Sequence, residues 1–88
     1  MMTVKTVSRW AQSLNTPEWE TFINSAAQQW VAQGKTDSLR STQGQQGPTE
    51  YVYTRNWINE TAANELIAFI DGYTGATHIS TVIEPITP

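Results

Sequence analysis

Residues 49–57, TEYVYTRNW, decide the fold. They form the strongest β-forming run of the chain, with Tyr51, Tyr53, Arg55 and Trp57 on one face of an extended strand and Val52, Thr54 and Asn56 on the other. Residues 3–10, TVKTVSRW, are a looser run of the same kind that also closes on an arginine and a tryptophan. There Val4, Thr6, Ser8 and Trp10 share one face, and Lys5, Val7 and Arg9 the other. Both faces of this first run hold groups worth burying, which fits a central strand. Each run leads into a capped amphipathic helix and each helix into a further β-prone run, so the order reads β-α-β twice.

The first helix opens at Thr16-Pro17-Glu18, where Thr caps, Pro loses no donor and the acid meets the positive end of the helix dipole. Trp19, Phe22, Ile23, Ala26, Ala27 and Trp30 recur at helical spacing, and Gly34 supplies a left-handed stop. The second opens at Asn59 with Glu60 behind it; Ala63, Leu66, Ile67 and Ile70 form its inner stripe, widened by Ala62, Phe69 and Tyr73, and Gly72 ends it. Between the halves, residues 37–43 (DSLRSTQ) are a weak, polar edge-strand candidate, and residues 44–48 (GQQGP) are a loop by composition. A last strand is expected over 78–84 (HISTVIE), stopped by Pro85.

Under the right-handed crossover rule, two such halves over residues 1–88 give one α+β domain, a ferredoxin-like βαββαβ sandwich. Its four-stranded antiparallel sheet has the first and third strands in the middle and both helices on one face. Whichever way the third strand is turned, Tyr51, Tyr53 and Trp57 or Val52 and Thr54 face away from the helices, so the bare face is expected to pair with a second copy. Four Trp, three Tyr and two Phe strengthen this expectation, since each large ring buries roughly 150–250 Å² and one thin core has little room for all of them. A domain of this length buries only about 60–65% of its unfolded surface, so burial against a partner would also help its stability.

The runs VSRW and YVYTRNW, with the element order from Thr3 to Glu84, resemble the dimeric ferredoxin-like α/β barrel superfamily, closest to its small uncharacterised members. The resemblance implies two copies packed sheet against sheet and a pocket between sheet and helices. That superfamily includes cofactor-independent oxygenases, haem-handling enzymes, isomerases and small-ligand sensors, so it narrows the fold further than the chemistry.

Composition removes several function classes. There is no cysteine, hence no disulfide framework and no thiolate metal site. The five basic residues are scattered singly in a chain of net charge −3, too few on any face for the several phosphate contacts that nucleic acid or an anionic membrane would require. RNA-recognition domains share this element order, but TEYVYTRNW lacks their glycine and carries an acid at Glu50. The longest apolar run, residues 66–70, is far short of a membrane span, and with no signal-like leader the expectation is a soluble, cytoplasmic protein. Glu18 and Glu20 diverge on a helix, as do Glu60 and Glu65, so no metal site and no cofactor are expected. Asn59-Glu60-Thr61 matches a glycosylation sequon, but the capping role of Asn59 accounts for it.

The candidate ligand-binding or dimer-face residues are Arg9, Tyr51, Tyr53, Arg55, Trp57 and His78; no catalytic residue is assigned. Arg9 and Arg55 end the echoed strands at a similar level of the sheet. In one reading they hold an anionic or carbonyl-bearing ligand at a pocket mouth walled by Trp10 and Trp57; in the blander one they pair with acids or stack on rings. His78, the only histidine, is by the same standard a turn or surface residue before it is a ligand. The expected function is a homodimeric ligand-binding or structural module without catalysis. The alternative is a cofactor-independent monooxygenase or isomerase acting on a small aromatic substrate, with Trp57, Tyr53, Arg55 and His78 lining its site.

Overall fold

Thr16 and Asn59 set the two helices. Helix α1 (Pro17–Ala32) begins where the Thr16 hydroxyl accepts from the Trp19 amide at 3.2 Å, and α2 (Glu60–Ile70) where the Asn59 side-chain oxygen accepts from the Ala62 amide at 2.9 Å. Gly34 follows α1 with φ 74°, a backbone conformation for which glycine is suited. The inner stripe of α1 is Trp19, Ile23, Ala27 and Trp30; that of α2 is Ala62, Ala63, Leu66 and Ile70, while Ile67 is only half-buried. The computed structural model describes residues 2–37, 42–47 and 50–86.

Strands β1 (Val4–Trp10), β3 (Glu50–Trp57) and β4 (His78–Pro85) are antiparallel, with β1 between the other two. A short strand β2 (Thr42–Gly47) pairs with the outer edge of β3, so the hydrogen-bonding order is β2-β3-β1-β4. After α1 the chain is clamped to the end of β3: Lys35 O accepts from the Ile58 amide, and the Thr36 hydroxyl donates to Asn56 O at 2.7 Å. The radius of gyration, 12.3 Å, is close to the roughly 12 Å expected for a compact chain of this length.

The expected ferredoxin-like, four-stranded sandwich needs correction. The packed body is a three-strand antiparallel sheet with two helices, in the order β1-α1-β3-α2-β4. Among the described residues α2 approaches β1, β3 and β4, whereas β2 approaches β3 and is not reached by α2. The physical reason lies in the sequence of β2, TQGQQG, which has no apolar side chain for a helix to cover. Its ladder to β3 also shifts register between Gln45 and Gly47. The position of the strand differs from expectation too: it occupies most of the stretch read as a loop. Backbone pairing along β3 outweighs the low β propensity of Gln and Gly. Residues 38–41 of the strand expected over 37–43 lie outside the described residues.

The second correction concerns burial. Tyr51, Tyr53, Arg55 and Trp57 all turn under the helices, and the ring row expected to seek a second copy is part of the monomer's own core, with Trp57 fully buried. The opposite face carries Lys5, Val7, Arg9, Val52, Thr54, Asn56, Val82 and Glu84, a mixed surface with ion pairs Lys5–Glu84 at 3.9 Å and Arg9–Glu50 at 2.6 Å. The ring row therefore no longer argues for dimerisation through that face.

Candidate functional site

The strand register lays the inward side chains of the sheet in rows. Tyr51, Trp10 and His78 form one, Tyr53, Ser8 and Thr81 the next, then Arg55, Thr6 and Ile83, and finally Trp57, Val4 and Pro85. Large rings stand at both ends, and the middle of β1 contributes only Thr6 and Ser8, both fully buried. Those two small residues leave depth at the centre of the sheet for the indoles Trp19 and Trp30 of α1.

Trp19 meets Tyr53 edge-on at 5.2 Å and Trp10 at 5.5 Å, and Trp30 meets Trp57 edge-on at 5.2 Å. Tyr73, beyond α2, closes the Trp10 end against Trp10 and Trp19. Edge-to-face contacts of this kind each add about 0.5–1.5 kcal/mol to simple burial. The polar atoms among the rings are mostly paired. Trp57 Nε1 donates to Thr6 Oγ1 at 3.0 Å, the Thr81 hydroxyl donates to Ser8 Oγ at 3.0 Å, and His78 Nε2 lies 2.5 Å from Thr81 Oγ1. Trp10 Nε1 is buried without a hydrogen-bond partner.

Arg55 is 2% exposed. Its Nε donates to the Tyr53 hydroxyl at 2.8 Å, its Nη1 reaches Thr36 Oγ1 at 3.4 Å, and its guanidinium carbon lies 5.9 Å from the Tyr53 ring centre. Arg9 is on the other face of the sheet, half-exposed and paired with Glu50. Arg9 is opposite Val52 and Arg55 opposite Thr6, three register positions or roughly 10 Å apart along the strands, so the expectation of a shared level is corrected: the two arginines share neither a level nor a face. His78 is half-buried, its ring 4.8 Å from that of Trp10. It stands two rows from Arg55, roughly 13 Å along the strands, and on a different strand.

Of the candidate residues, the sheet brings together Tyr53, Arg55 and Trp57, places Tyr51 and His78 on either side of Trp10, and excludes Arg9. Thr6, Ser8, Thr36 and Thr81 complete the inner polar network and were not among the candidates. The signal for the first two was the alternation that puts them on the Trp10 face of β1. A separate open groove of about 500 Å³ runs between the outer sides of α1 and α2, lined by Ser25, Ala26, Gln29, Trp30, Glu65, Ala68 and Phe69. It contains no candidate residue, and its Glu65 is held by Lys35 at 2.9 Å.

Among the described residues no cluster of three His, Asp or Glu side chains could hold a metal ion, and no helix is long and apolar enough to cross a membrane. No protein-family model matches the chain, and no curated protein matches it.

Proposed function

We propose that the chain is a binding or structural module without catalysis, which closes its interior with its own rings and works as a homodimer joined through the sheet. The observation that carries this reading is the inward turn of Tyr51, Tyr53 and Trp57 onto Trp10, Trp19 and Trp30, all at most 7% exposed. A site for a small aromatic substrate on these residues would require the rings to line a space. Here they pack on one another, with centres 5.2–5.5 Å apart in the Trp19–Tyr53, Trp10–Trp19 and Trp30–Trp57 pairs. For the dimer, the support is that the exposed large apolar side chains of the described residues, Ile79 and Val82, both lie on β4.

Calorimetric titration with indole, as a probe for an aromatic site, is expected to show no saturable heat, while sedimentation equilibrium is expected to return twice the chain mass. Saturable indole binding that is lost in Trp57→Phe would overturn the closed interior, and a monomer at micromolar concentration would overturn the dimer.

A further inference from the structure

Strand β4 ends the sheet, and its outer edge has a definite pattern of free backbone groups. In an antiparallel pair each residue turns its N–H and C=O to one side, and successive residues alternate. The Ala11 amide donates to Thr77 O at 2.9 Å and Thr3 O accepts from the Ile86 amide at 3.0 Å, so the odd residues of β1 are the ones that face β4. By register, Ser80, Val82 and Glu84 answer Arg9, Val7 and Lys5. Thr81, Ile83 and Pro85 therefore turn their backbone groups outward. Pro85, which has no N–H, stands where a missing donor costs the sheet nothing.

From this pattern we infer that β4 pairs with β4 of a second copy, antiparallel about a two-fold axis through Val82. The inference rests on the homodimer proposed above and assigns its contact. In that register Thr81 of each copy faces Ile83 of the other, and the four free N–H and C=O sets close two hydrogen-bonded pairs. Val82 meets its own counterpart as a non-hydrogen-bonded pair, the close kind with Cα atoms about 4.5 Å apart. Val82 is 48% exposed and is covered by its counterpart in this register, whereas Ile79, 55% exposed, is the extra residue where the β1–β4 register shifts and lies beyond the regular pairing. The charges permit it: Glu84 faces Ser80 and keeps Lys5 of its own chain beside it, with no acid opposite an acid. An exposed Val82 on the axis, flanked by Glu84 against Ser80 with its charge answered by Lys5 of the same chain, lets this edge meet itself without opposed charges, which points to a second copy of this chain as the occupant.

Because the chain has no cysteine, Val82→Cys adds a single thiol. A non-hydrogen-bonded pair brings two such residues within disulfide reach. Mild oxidation of V82C is expected to give a covalent dimer far faster than oxidation of A68C, whose thiol is exposed on α2, and V82E, placing two carboxylates against each other, is expected to weaken the dimer at least tenfold in sedimentation. If the parent chain is a dimer but V82C crosslinks no faster than A68C, or V82E leaves the dimer unchanged, the β4 contact is wrong and the homodimer stands. If the parent chain is a monomer, both fall.

Discussion

The indole of Trp57 on β3 donates to the hydroxyl of Thr6 on β1 across 3.0 Å of fully buried space. This hydrogen bond lets a tryptophan stand at the end of the ring row without leaving its polar atom unpaired, and it ties the two central strands together beneath α1. Replacing Thr6 by the nearly isosteric Val removes the acceptor and strands the indole N–H. Thr6→Val is expected to cost about 1–3 kcal/mol in urea unfolding, and Thr6→Ser, which restores the oxygen, to lose less. Equal losses in the two variants would mean that the methyl group and not the hydrogen bond matters there.

The two arginines of the echoed strands are expected to behave differently. Arg55 is buried among Tyr53 and Thr36, whereas Arg9 makes an exposed pair with Glu50. Arg55→Met should destabilise by about 2–4 kcal/mol, because the groups that surround it lose a buried partner. Arg9→Met should change stability by less than about 1 kcal/mol, as exposed pairs usually do. Chemical denaturation of both variants in one buffer checks the contrast, and similar losses would contradict the opposite-face assignment.

At Gly75 an added methyl group would lie 2.5 Å from the Tyr73 hydroxyl and 2.7 Å from its ring carbon, with a Glu18 carboxylate oxygen at 3.1 Å. Tyr73 cannot yield freely, since its ring also packs on Trp10, Trp19 and Phe22. Gly75→Ala is expected to cost about 1–3 kcal/mol. Adding Tyr73→Phe should recover only part of this, because the ring carbon remains in the way. A neutral Gly75→Ala in thermal unfolding would show that the turn can move aside.

Gly34 offers the complementary case. A Cβ there meets nothing within 4 Å, but φ is 74°. Gly34→Ala should therefore cost about 1–2 kcal/mol through backbone strain alone. The same substitution at Gly44, equally open and without positive φ, should be close to neutral. Melting temperatures of the pair separate backbone strain from crowding.

Much of this arrangement is legible in the sequence. Thr16 and Asn59 announce the helix starts because capping chemistry is local, and the apolar stripes of both helices follow from spacing alone. A polar edge strand is expected between the halves, over 37–43, but its position at Thr42–Gly47 was not legible, because TQGQQG carries neither β propensity nor alternation and is held by the ladder that β3 offers it. The direction of the ring row was ambiguous for a different reason: both faces of β3 hold groups that can be buried, and only pairing with β1 decides between them. Once Trp10 and Trp57 are both inside, alternation alone sends Arg9 outward and Arg55 inward. The room for four tryptophans could not be seen by counting rings. It comes from Thr6 and Ser8, whose small side chains leave depth at the centre of the sheet.

The closed interior is the central claim, and hydrogen exchange of the Trp57 indole Nε1–H, followed by NMR, tests it most directly. With the ring buried between Thr6 and Trp30, this proton should exchange as slowly as the most protected backbone amides of β1 and β3, and its resonance should stay in place when indole is added. Exchange faster than those amides by orders of magnitude, or a saturable shift with indole, would show that the ring row lines an accessible pocket and would contradict the account.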